Sequence, residues 1–296
     1  LWWALSWASL SGGKKSKLEM KQQTNRQLAQ FLGLTFLISW LLWLPPLLKS
    51  TRLPTLPDIA GLPGMFAPFG PMIAAFWLTY HENGRSGVKA LWQRAWQLRF
   101  DKKWLLPTIL LGPFLALATA GLLILSGKPI AWETAVPLTA LGPLFALIFF
   151  TNALPEEFGW RGYALDRLQQ QHSALVASLI LGLGWGLWHL PLHFITGTTQ
   201  EIIPVYQFVL QQMGLAILYT WLVNNTRGSI LVAALFHTVA NLSAAAVPFW
   251  TTSPGRWLSF AVLLLVAGLI VWRWGWQHLT RYGGEETAVS SPTSFS

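Results

Sequence analysis

Three polar clusters stand out in a chain otherwise poor in polar residues: Glu156-Glu157 with Arg161, Trp185 with His189 and His193, and His237 with Asn241. Ionisable groups are costly at membrane depth, so those in apolar surroundings are functional candidates. On a helix, Glu157 and Arg161 share a face one turn apart and can pair. Glu156 falls about 100° round the helix from its neighbour, which leaves it without that cation. Trp185 and His189 are also one turn apart, so the indole can brace the imidazole; His193 continues that face past Pro191. His237 and Asn241 are four residues apart and can both offer donors to one point. A carboxylate within reach of an imidazole can deprotonate water, while a second imidazole and an amide can hold a developing oxyanion, as amide hydrolysis requires.

Each cluster also has a plainer reading. Pro155 suits the first turn of a helix, where two acids complement the macrodipole, so Glu156 and Glu157 could belong to a capped interfacial helix. A membrane histidine often serves as a helix-to-helix hydrogen bond, the reading retained for His193, and Asn241 taken singly fits helix packing. His189, His237 and a carboxylate could instead hold a divalent metal. The HExxH pattern of zinc proteases is absent, as are a GxGD motif and a GxS nucleophile within any span. With no cysteine there is neither a thiol nucleophile nor a thiolate metal site.

The elements that must position these groups follow from composition. Only 10% of the residues are charged, against roughly 25% in soluble domains, and mean hydropathy is +0.45. Nineteen Trp and eighteen Pro fit a membrane bundle, where Trp gathers at interfaces and Pro is tolerated in packed helices. The expected fold class is therefore all-α, a polytopic membrane helix bundle. Eight segments have the length of a span: Gln27 to Leu48, Ile59 to Tyr80, Trp104 to Leu125, Ala135 to Leu154, Ala174 to Ile195, Ile203 to Val223, Ile230 to Trp250 and Trp257 to Trp276. The net charge of +9 could signal nucleic acid, but it resolves as topology. With both termini in the cytoplasm, sixteen of the twenty Lys and Arg face inward, leaving Lys49, Arg52, Lys128 and Arg256 outside. The expected partners are the lipid bilayer and a membrane-associated peptide or protein, with no nucleic acid.

Gly87 to Phe100 interleaves Trp and aliphatic residues with cations and reads as an amphipathic helix on the inner leaflet. Residues 1–26 read as an N-terminal extension in which Met20 is a candidate start of translation. Residues 27–282 read as one membrane domain with its core at about 145–250, and residues 283–296 as a disordered tail.

The three clusters, in order on successive apolar segments, resemble the CPBP family of CAAX-protease and bacteriocin-processing (Abi) intramembrane endopeptidases, related to the type II CAAX prenyl endopeptidase. That family's pattern is EExxxR, then FxxxH, then HxxxN. Glu156, Glu157 and Arg161 match the first motif, and His237 and Asn241 the third. The second has Trp185 in place of Phe before His189, which keeps an aromatic brace. The resemblance implies an intramembrane endopeptidase in which Glu156 activates water with help from His189, His237 and Asn241 stabilise the oxyanion, and Glu157 and Arg161 support the site. It further implies a glutamate-dependent mechanism with no cofactor, a divalent metal being the alternative. A non-proteolytic membrane protein of the same fold, in bacteriocin immunity or sensor binding, is the rival function. A proton-coupled transporter is a third, without an inverted repeat to support it.

Overall fold

A computed structural model describes residues 2–281 of the chain, with side chains described from Leu18 onward; the predicted tail at 283–296 and the side chains that open the N-terminal extension lie outside the described residues. All regular structure among the described residues is helical. Helix α1 (Trp2–Thr51) is followed by a 3-10 stretch (Asp58–Phe69), α2 (Gly70–Arg94) and α3 (Leu105–Leu125). One continuous helical run then contains α4 (Leu138–Ile148), a π turn (Phe149–Ala153), α5 (Leu154–Gly159), a second π turn (Trp160–Ala164) and α6 (Leu165–Gln169). The chain continues through α7 (Ala174–Trp188), α8 (Val205–Asn225), α9 (Ile230–Ala246) and α10 (Ser253–Trp274). Helix starts follow local chemistry: Ser173 and Ser229 accept the backbone N–H groups of Val176 and Val232, satisfying donors that open α7 and α9.

Helical segments occupy all eight expected positions, but among the described residues six are long and apolar enough to cross a membrane. The other two are α9, a shorter apolar helix of 17 residues, and α8, which is long enough but too polar. Helix α8 carries Gln207, Gln211 and Gln212, and most of its residues are buried against α7, α9 and α10. Its surroundings are protein, so it does not need a lipid-facing composition.

The fourth expected span requires correction. Instead of ending at Leu154, with a new helix opening at Pro155, the helix runs straight through, and Ala153 and Leu154 keep helical dihedrals. Glu156 and Glu157 therefore sit mid-helix, away from any terminus whose dipole could favour them. The N–H of Leu154 reaches back five residues to the carbonyl of Phe149. This wider turn takes up Pro155, whose ring would clash with the carbonyl four residues back in a regular α-helix. Arg161, counted above among inward-facing anchors, is wholly buried.

Helix α2 kinks at Gly84, whose φ of 62° and ψ of −156° are open to glycine but costly for other residues. Beyond the kink, Leu91 and Ala95 turn inward while Trp92, Trp96 and Leu98 stay about half exposed, an amphipathic pattern as expected, although the helix ends at Arg94, short of the expected Phe100. Helices α7 and α8 pack most extensively. A Cβ on Gly182 would stand 2.5 Å from Met213 Cα, and one on Gly186 would stand 3.0 Å from Val209 Cα. The small residues let the backbones touch and bring Trp185, which lies between them in sequence, against α8. Gly182→Val must force the pair apart and should cost about 1–3 kcal/mol, read as a lower unfolding temperature in detergent. Unchanged stability would contradict this close packing.

Candidate active site

The two π turns isolate α5 as a six-residue segment that is buried throughout and carries both acids. Each π turn adds a residue to the helical path, rotating the segment about 100° relative to its flanks. The two carboxylates then meet different partners. Glu157 Oε1 accepts from Arg161 Nη1 at 2.9 Å and from His237 Nδ1 at 2.8 Å. The spacing-based pair is thus present, with an imidazole from α9 joined to it. Glu156 Oε2 accepts from the indole Nε1 of Trp185 at 2.8 Å.

Trp185 is the hub of the site. Its ring lies edge-on to His189 at 5.8 Å, to His237 at 5.7 Å and to Tyr219 at 5.6 Å between centroids. The Arg161 guanidinium sits 4.5 Å from the Trp185 ring centroid and 3.9 Å from that of Tyr219. Among the described residues two of its nitrogens, Nε and Nη2, have no hydrogen-bond partner. The aromatic faces supply electrostatic attraction where donors find no acceptor. Tyr219, one turn from Val223 in α8, was not singled out by sequence reasoning, because a tyrosine in an apolar helix looks like ordinary core.

The chain fixes His189 through its own break in α7. Pro191 ends the helix, and the N–H of His189 bonds the carbonyl of Gly186, three residues back. The carbonyl of Trp185 loses its regular donor and accepts from His189 Nδ1 at 2.8 Å instead. With the proton on Nδ1, Nε2 of the neutral ring is an acceptor. His237 donates through Nδ1 to a carboxylate, so its Nε2 can also donate only when the ring is an imidazolium. Among the described residues Glu156 Oε1, His189 Nε2 and His237 Nε2 have no partner. None of them is among the sealed, unpartnered polar atoms of the bundle, where Glu157 Oε2 and His193 Nε2 are found.

The other two candidates fall outside this core. His193 bonds the carbonyl of Ile203 through Nδ1 at 2.9 Å, a structural tie between the end of α7 and the loop leading to α8. Asn241 lies one turn beyond His237 on α9; it is exposed and makes no hydrogen bond, so the structure does not join it to the cluster. Among the described residues no three His, Asp or Glu side chains gather as a metal would need them.

Fold and site together define a polytopic membrane helix bundle with a buried acid and imidazole centre. Residues 138–243, which carry all three clusters, match the family described as Type II CAAX prenyl endopeptidase Rce1-like. The chain is also 29% identical over 249 residues to CAAX prenyl protease 2 of Methanococcus maripaludis, an alignment covering 80% of this chain and 90% of that relative. Both likenesses point to the family that the three motifs resemble.

Arg161→Lys tests the geometry of the buried cation. A lysine keeps the charge but loses the planar group held between Tyr219 and Trp185. We expect a loss of about 2–4 kcal/mol, seen as a lower unfolding temperature of the purified protein. Wild-type stability in this variant would contradict the stacked arrangement.

Proposed function

We propose that the protein is an intramembrane endopeptidase that hydrolyses a peptide bond of a membrane-associated substrate by direct attack of water. The supporting observation is the set of three unpartnered, unsealed atoms round Trp185: Glu156 Oε1, His189 Nε2 and His237 Nε2. In this reading Glu156 takes a proton from water, which His189 Nε2 orients as acceptor. The hydroxide adds to the scissile carbonyl. The oxyanion is met by His237 Nε2–H of the imidazolium and by the side-chain amide of Asn241, which substrate would have to draw into contact. The proton returns to the leaving amine as the C–N bond breaks. Glu157, Arg161 and Trp185 hold the reacting groups without touching the substrate. His237 lies seven residues into α9, about 10 Å from its start, which on the topology of the inward-facing charges puts cleavage near the cytoplasmic leaflet.

The name of the archaeal relative makes a prenylated peptide ending in the CAAX sequence the first probe. In proteoliposomes, Glu156→Gln should lower turnover of that peptide by about a thousandfold or more while leaving the unfolding temperature within a few degrees of wild type. Retained cleavage would refute the role of Glu156. If wild type leaves this probe intact, membrane proteomes of cells carrying wild type or Glu156→Gln should still differ in cleaved fragments; identical proteomes would remove the proposal. The rate should be unaffected by 1,10-phenanthroline; inhibition by the chelator would contradict this mechanism.

A further inference from the structure

Arg94 belongs to the amphipathic arm beyond the Gly84 kink, where its charge reads as one more lipid-facing cation. The structure turns it inward. Its Nη1 donates to the carbonyl of Gly162 at 2.9 Å, its Nη2 to the carbonyl of Arg161 at 3.3 Å, and its Nε to the carbonyl of Gly228 at 2.9 Å. Asp166 also pairs with the guanidinium. These acceptors lie at two strategic places. Arg161 and Gly162 are in the π turn that follows α5, and Gly228 lies two residues before α9. One side chain therefore ties together the segments that deliver Glu157 and His237 to each other.

The π turn explains why an external donor is needed there. The N–H of Leu165 reaches back five residues to the carbonyl of Trp160, so it no longer serves the carbonyl of Arg161 as it would in a regular α-helix. An arginine fork can meet several such acceptors at once. Asp166 is half exposed, and a pair that open to solvent contributes little by itself. The contacts to carbonyls are what bind the arm to the site.

We propose that Arg94 is a positioning residue: by capping the carbonyls of the second π turn and of the turn before α9, it keeps α5 in the phase at which Glu157 meets His237 and Glu156 meets Trp185. The proposal rests on the proteolytic reading for its kinetic consequences, but its structural consequence does not. Loss of the clamp lets the π turn relax toward α-helical bonding, which would rotate the acids relative to α7 and α9.

The test compares wild type, Arg94→Ala, Arg94→Lys and Asp166→Asn in proteoliposomes with the prenylated CAAX peptide, Glu156→Gln serving as the inactive reference. Arg94→Ala should lower kcat at least tenfold, with KM within about twofold, and millimolar guanidinium ion should restore part of the loss. Arg94→Lys keeps the charge but not the fork, and should remain folded with kcat well below wild type. Asp166→Asn leaves the carbonyl contacts in place and should stay within about twofold of wild type. Arg94 variants with wild-type kcat, or Asp166→Asn falling as far as Arg94→Ala, would overturn the proposal. Hydrogen exchange supplies a readout independent of turnover: Arg94→Lys should speed exchange over residues 160–166 and at the start of α9. If wild type leaves this peptide intact, exchange alone decides the role of Arg94, and the proteome comparison decides the proteolytic reading; unchanged exchange would sink the role of Arg94.

Discussion

A guanidinium with no accessible surface must be neutralised where it lies, because water cannot reach it and an unpaired buried charge is prohibitively costly. Arg161 is in that position. Its charge is met by Glu157 one turn earlier on the same helical run and by the faces of Tyr219 and Trp185. Glu157 in turn accepts from His237, so the requirement propagates to α9. The helical run, α7, α8 and α9 are thus fixed relative to one another by one buried ion and what surrounds it. A buried pair is weak evidence for net stability, but breaking it is expensive, which makes it an effective device for specifying a single arrangement.

That arrangement divides two adjacent carboxylates between two tasks. Glu157 is committed to Arg161 and His237, with its second oxygen sealed. Glu156 has one oxygen held by the Trp185 indole, and its other oxygen has no partner among the described residues and is not sealed. Neighbouring residues on a helix already point about 100° apart. The π turns on either side of α5 set the absolute direction of both, and Pro155 helps to explain why the first is there. Trp185 then coordinates the site: its side chain holds Glu156, its carbonyl fixes the tautomer of His189, and its ring packs on His237. The close contact of α7 with α8 at Gly182 and Gly186 places that ring between the acids and Tyr219.

The parts of this account that depend on rarity or periodicity were legible in the sequence. Charge is scarce, so Glu156, Glu157 and Arg161 stand out. Fourfold spacing pairs Glu157 with Arg161, and apolar length locates the helices. What escaped depends on contacts between distant segments. Helix α8 has the length of a span, but that it is buried against α7, α9 and α10 shows only in the fold. Pro155 signalled a helix start, whereas a π turn absorbed it. Tyr219 is indistinguishable by type from core, and Arg94 from a lipid-facing cation, until the fold brings Arg161 and Gly228 within their reach. Asn241 shares a face with His237 by spacing, yet helical spacing alone does not supply a partner, and none is made.

The central claim is that the two acids differ in kind, one balancing a buried cation and the other free for chemistry. A pair of double-mutant cycles measures that difference directly: Glu157→Gln with Arg161→Met, and Glu156→Gln with Arg161→Met, each followed by unfolding of the purified protein. The account predicts a stability coupling of about 3–5 kcal/mol in the first cycle and a much smaller one in the second, where the two side chains meet only through Trp185. Equal coupling in both cycles, or coupling only with Glu156, would contradict it.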